Sequence, residues 1–169
     1  MVAHRNNLDG TEVEWKMGEQ NKIYACWLDT IYWLAGGTKY KLLEAAGTAQ
    51  DVYLMPERHI TAVAGEKACE RFVQHKRRYS PQKVWNYVTG SGISYTYCRE
   101  PDFPQKFVDI PDPPFGIFYK GRLPDGCVPA VALIGSRKCS EYGTYMAELF
   151  AAGFASAGVD VISGMALGI

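Results

Sequence analysis

Residues 131–163 restrict the fold more than any other part of the chain. The run 131–134 (VALI) is short and continuously apolar, the pattern of a strand buried on both faces. Residues 142–157 (YGTYMAELFAAGFASA) repeat their apolar side chains at helical spacing, with Met146, Leu149, Phe150 and Phe154 on an inward face. Gly158 stops that helix, and 159–163 (VDVIS) is a second apolar run ending at Gly164. Strand, helix and strand within about 35 residues make a βαβ unit. This part of the chain therefore predicts the start of a parallel α/β sheet.

A parallel sheet binds ligands beyond the carboxyl ends of its strands, where helix N-termini present free N–H groups. The two predicted strands end at Gly135, Ser136 and Arg137 and at Ser163 and Gly164, so both turns open on one edge. Small residues there let a ligand approach the backbone. Ser136 and Ser163 can offer hydroxyls to a phosphate oxygen, Arg137 a planar, permanently charged fork, and Lys138 a second cation. Each has a plainer role as well: a turn glycine, a capping serine, a solvated charge. No G-x-G-x-x-G is present, and Asp160 enters the second strand rather than leaving it, so the ribose ligand of a dinucleotide site is missing. There is no G-x-x-x-x-G-K-[ST] loop either. The pattern points to an anion cradle without a dinucleotide or ATP fingerprint, and no cofactor is expected.

Upstream the chain reads differently. Residues 1–21 are polar, with isolated Val13, Trp15 and Met17, and read as an arm. Residues 23–35 (IYACWLDTIYWLA) predict a buried helix with Ile23, Trp27, Ile31 and Leu34 on one face. Gly36 and Gly37 break it, and Thr38 is placed to cap a second helix ending at Gly47. A third element covers 49–55, and a helix over 65–78 carries Lys67, Arg71, Lys76, Arg77 and Arg78 on its outer surface. Ser80 followed by Pro81 is a capping start for another. Residues 22–89 thus read as an all-helical module. Its glycine joints suggest paired helix-hairpin-helix units, but neither shows the full glycine, hydrophobic, glycine turn, and a plain packing module is the simpler account.

From Ile93 the pattern alternates, with Ile93, Tyr95 and Tyr97 on one side, and predicts a strand. Residues 101–129 hold seven of the chain's nine prolines, which reads as an irregular connector. Its many apolar residues, among them Phe103, Phe107 and Phe115, require that it lie against a core.

Composition excludes some classes. Eighteen basic and eighteen acidic residues balance, so only a local patch could argue for nucleic acid. Five scattered cysteines without a CxxC pair or a histidine at metal spacing suit reduced thiols in a cytoplasmic protein, with no metal site. No stretch approaches the roughly 20 apolar residues of a membrane span. His4, His59 and His75 all lie outside the α/β part, and Cys139 has no partner base nearby. No catalytic residues are assigned.

The segments PDPPFGIFYKGRL, VALIGSRKCSEYG and VDVISGMALGI, in that order, resemble the DNA-processing protein A family (DprA, also called Smf). The resemblance covers residues 80–169. It implies an extended Rossmann-like domain over 90–169 that binds single-stranded DNA without hydrolysing it and helps load the RecA recombinase during natural transformation, with a homodimer in the full-length protein. It places a sterile-alpha-motif-like (SAM-like) module at 22–89. Arg137 matches the family's DNA-contacting arginine, and Gly135, Ser136, Ser163, Gly164 and Ala166 match the neighbouring pocket. The segment Cys139, Ser140 and Glu141 departs from the family's usual small or hydroxyl residues, and Met165 and Leu167 vary the second turn. Family members continue past the position of Ile169 with further strands, so the chain reads as an N-terminal part of such a protein.

The expected function is therefore a single-stranded DNA-binding recombination mediator. The competing reading is an enzyme of the related Rossmann group, a nucleoside-monophosphate phosphoribohydrolase-like protein, whose glycine-rich, glutamate-bearing motif would follow later in the chain. A third is that residues 22–89 are a protein-interaction module whose KRR cluster at 76–78 is a solvated face.

Overall fold

Trp27 is the hub of the helical part. Its side chain is fully buried, its ring meets those of Tyr53 at 4.9 Å and Phe72 at 5.3 Å edge-on, and its indole N–H donates to the Tyr79 carbonyl at 2.8 Å. The fold around it comes from a computed structural model that describes residues 10–124 and 126–169. Chain contacts divide it into two compact units, one ending at Arg122 and the other Leu123–Ile169. The fold class is mixed α/β, a helical module followed by a partial Rossmann-like region.

The first unit holds six helices and a β-hairpin: α1 (Gly10–Asp29), α2 (Gly36–Ala46), α3 (Ala49–Leu54), α4 (Glu57–Ala64), α5 (Glu66–Arg78), α6 (Pro81–Gly90), β1 (Ser94–Tyr97) and β2 (Gly116–Tyr119). Leu28, Ile31, Leu42, Val52, Ile60 and Phe72 surround Trp27 with almost no exposure. Each such side chain contributes about 1.5–3 kcal/mol of apolar burial.

Several ends follow local chemistry. Gly47 stops α2 with φ 92°, and the Ser80 hydroxyl accepts from the Lys83 N–H at 3.4 Å with Pro81 in the first turn of α6. Other details differ from the pattern. The first helix begins at Gly10, inside the stretch read as an arm, and ends at Asp29 rather than Ala35. Ile31 and Leu34 are still buried, but in a turn tightened by i to i+3 bonds, Ile31 N–H to Leu28 O and Leu34 N–H to Ile31 O. Apolar spacing reports burial, and a tight turn can bury the same residues as a helix. Thr38 does not cap α2; the helix starts two residues earlier, with Thr38 and Lys39 both donating to the Ala35 carbonyl. Helix α4, which the pattern does not predict, is too short to form alone and owes its existence to packing on α5 and α2.

The proline-rich connector contributes a strand. β2 pairs antiparallel with β1, from Ser94 opposite Tyr119 to Tyr97 opposite Gly116. The hairpin packs on α1 and so belongs to the helical unit, not to the α/β unit. Both faces of β1 are covered: Tyr95, Thr96 and Tyr97 are all buried, and the Thr96 hydroxyl is satisfied by donating to Asp102 Oδ1 at 2.6 Å. Gly116 has to be glycine, since a Cβ there would overlap the Tyr95 hydroxyl and come 2.6 Å from Asp29 Oδ2.

The second unit is β3 (Ala130–Ala132), α7 (Glu141–Ser156) and β4 (Asp160–Ile162). The strands run parallel, Ala130 opposite Asp160 and Ala132 opposite Ile162, and the Leu133 N–H extends the ladder to the Ile162 carbonyl at 2.9 Å. The predicted βαβ unit forms. Its strands are shorter than predicted and are not buried on both faces: Ile134 is 86% exposed and Ile162 51%. The inward face expected of α7 is likewise open, with Leu149 and Phe150 each 51% exposed. Two strands and one helix offer each apolar side chain a neighbour on one side only. The composition of the run records suitability for burial, which the described residues do not supply.

Candidate nucleic-acid interface

The parallel register sends both strands out toward one edge. After β3 the chain runs through Gly135, Ser136, Arg137 and Lys138 to Ser140, whose hydroxyl caps α7 by accepting from the Gly143 N–H at 3.1 Å. After β4 it runs through Ser163, Gly164 and Ala166 to Ile169. All seven predicted residues lie in these two turns, and all are exposed.

The hydroxyls do local work. Ser136 Oγ donates to the Lys138 carbonyl at 3.0 Å and accepts from the Lys138 N–H at 3.2 Å. Ser163 Oγ accepts from the Met165 N–H at 3.2 Å. Both are serine turns that fix the loop shape, made by the hydroxyls of exposed residues. Met165 carries a left-handed φ of 51° directly after the second of these turns. Arg137 and Lys138 form no ion pair among the described residues, which leaves their charge directed at solvent.

The two turns also touch, through residues that the pattern does not single out. The Ile169 N–H donates to the Ser136 carbonyl at 3.3 Å. Gly168, at φ 100°, packs on the first turn: a Cβ there would overlap the Ser136 carbonyl oxygen and come 2.7 Å from Arg137 Cα. Ile169 covers Gly135, where a Cβ would fall 2.8 Å from Ile169 Cβ. The edge is thus a pair of interlocked backbone turns carrying two exposed cations. The one signal that could have found the contact is the glycine itself, placed five residues after Ser163.

Among the described residues the edge carries one carboxylate, Glu141 in the first turn of α7, with no histidine beside it: residues 123–169 contain none, and Asp160 starts β4 at the opposite end of the strand. Cys139 Sγ lies 3.3 Å from the Thr144 hydroxyl, not from a base. Among the described residues no group of three or more histidine, cysteine or carboxylate side chains is arranged to hold a metal. No helix among them is long and apolar enough to cross a membrane. A cleft of about 960 Å³ lies in the first unit between Trp85, Tyr95 and Tyr119, and the ion pair of Lys22 with Glu100 at 2.9 Å sits on its lining.

Comparison with known proteins bears on the same region. Residues 94–169 match the family described as DNA recombination-mediator protein A. Protein Smf of Borreliella burgdorferi is 44% identical over 66 residues, covering 39% of this chain and 21% of that protein. Protein Smf of a Synechocystis species is 25% identical over 134 residues, covering 77% of this chain and 33% of that protein. The matched regions thus span about a fifth and a third of the lengths of these relatives. No solved structure matches significantly.

Proposed function

We propose that the chain is a member of the DNA recombination-mediator protein A family, whose pattern residues 94–169 match, and that it contributes a contact surface for single-stranded DNA at the edge beyond β3 and β4. The observation that carries this reading is the interlocking of Gly168 with Ser136 and Arg137, because it holds two turns rigid while leaving the Arg137 and Lys138 charges exposed. Rigid backbone beside exposed cations suits a repeated phosphate backbone and reads no base edges. The start of α7 at the same edge adds the positive end of a helix dipole, offset in part by Glu141 in its first turn.

Gly135, Ser136, Ser163, Gly164 and Ala166 form the cradle in this reading, and Arg137 and Lys138 are the phosphate contacts. The protein binds without catalysing a reaction and needs no cofactor. It acts in the cytoplasm as a recombination mediator during DNA uptake, loading a RecA-type recombinase as a homodimer. Residues 22–89 serve as a SAM-like module and 90–169 as the first part of the family domain, whose β1–β2 hairpin packs with the helices.

The test is binding of a fluorescein-labelled 30-mer oligothymidylate, followed by anisotropy from 50 to 200 mM salt. Arg137→Ala should weaken binding about tenfold at the lowest salt and reduce the slope of log affinity against log salt by about 0.7. Unchanged affinity and slope in that variant would remove Arg137 from the interface.

A further inference from the structure

The basic residues of α5 form no single cluster. Lys76 turns inward, its ammonium donating to the Tyr53 carbonyl at 2.5 Å and lying 4.4 Å from the Tyr53 ring centroid. Arg77 shares a cleft with Glu57, Glu66 and Glu70, an acidic neighbourhood. Lys67, Arg71 and Arg78 stand apart from both. Their spacing of four and seven residues puts them on one helix face. All three are exposed, and none forms an ion pair among the described residues.

Aromatic rings line the same face. The Arg71 guanidinium sits 4.1 Å from the Trp33 ring centroid and that of Arg78 sits 5.3 Å from Tyr79. Trp33, Lys67 and Arg71 line a common hollow of about 340 Å³ that also takes in Thr38. Tyr32, next to Trp33 in the chain, is 89% exposed. From Lys67 to Arg78 the helix rises about 16 Å at 1.5 Å per residue.

We infer that this stripe of Lys67, Arg71 and Arg78, with Trp33 and Tyr79, is a second contact surface for single-stranded nucleic acid. A lone anion would be met by converging charges, whereas these cations are spread along a line and are not neutralised by neighbouring carboxylates. A polyanion with one charge per repeat complements that line. The rings add surface for stacking, and a guanidinium already held over a ring can be sandwiched by a base at little cost in side-chain entropy. The surface lies wholly in the helical unit, and its case does not depend on the β3 and β4 edge.

The experiment uses the whole chain and the same labelled oligothymidylate. The triple variant Lys67→Ala, Arg71→Ala, Arg78→Ala should bind at least tenfold more weakly at 50 mM salt, with the salt slope reduced by about 2 for three lost phosphate contacts. Arg77→Ala, on the acidic side, should stay within twofold of the parent. The difference between the parent and Trp33→Phe isolates Trp33 emission, which should be quenched on saturation with oligothymidylate; this readout needs no triple variant to fold. A folded triple variant with parental affinity, or Trp33 emission indifferent to the oligomer, overturns the proposal. So does polyglutamate of equal charge displacing the oligomer as well as unlabelled oligothymidylate does, because the stripe is then a site for acidic peptide. Loss of binding in Arg137→Ala with no change in the triple variant would keep the first surface and discard this one.

Discussion

Gly168 packs against the Ser136 carbonyl at φ 100°, and no residue with a Cβ can take its place without moving the turn that carries Arg137. Gly168→Ala pays twice, for a left-handed backbone at about 1 kcal/mol or more and for the overlap. The expected outcome is a displaced turn: faster hydrogen exchange at the amide of Lys138, whose N–H is held by Ser136 Oγ, and oligothymidylate affinity reduced about as far as in Arg137→Ala. Fluorescence of Trp27 and its neighbours, which reports the other unit, should melt as in the parent. Parental exchange at Lys138 would show that the contact does not hold the turn.

Lys39 and Asp29 form an ion pair inside the helical unit, Nζ to Oδ1 at 2.7 Å, with the ammonium also donating to the Asp29 carbonyl at 3.0 Å. Their side chains are 7% and 11% exposed. Removing one partner strands the other charge, so Lys39→Met should destabilise the first unit by about 3 kcal/mol or more. Lys39→Met with Asp29→Asn should recover part of that loss. Urea titrations of the two variants give the comparison, and an equal loss in both would mean that packing, not charge, dominates.

The elements legible in the sequence are those whose chemistry is local. Gly47 and the Ser80–Pro81 pair mark helix ends because a left-handed cap and a first-turn proline act within a few residues. The βαβ order was legible because its period changes sharply at Gly135 and Gly158. β2 was not, since prolines surround it and only β1 and α1 make Gly116–Tyr119 extended. Lys39 reads as a surface residue of α2 until Asp29 is brought to it across a turn. At the candidate site the turns were legible, but their interlock was not, because the approach of Gly168 to Ser136 depends on how two strands register.

Tyr95 is buried and its hydroxyl has no hydrogen-bond partner among the described residues. Burial, and then the nearby Asp29 carboxylate, hold its phenol far above the usual range, so it stays neutral at any working pH. A buried hydroxyl without a partner costs roughly 1–3 kcal/mol, and Tyr95→Phe removes it without opening a cavity. The variant should therefore be as stable as the parent or more so, by up to about 1 kcal/mol. A clear loss of stability in a urea titration would reveal a bond to this hydroxyl.

His75 gives the helical unit a pH dependence of defined sign. Its ring lies 5.4 Å from Trp27 and 4.8 Å from Tyr79, and burial lowers its pKa from the ordinary 6.5. Below pH 6.5 the unfolded chain therefore takes up a proton that the folded chain refuses, and stability falls with falling pH. The contribution is complete above that value and is lost progressively as pH drops toward the depressed folded pKa. Melting temperatures between pH 7.5 and 5.5 should decline mainly in the lower half of that range. His75→Gln should be less stable at neutral pH, through lost ring contacts, yet show a flatter decline, because the residue that couples folding to the proton is gone. Parallel curves for the two proteins would assign the decline to other groups.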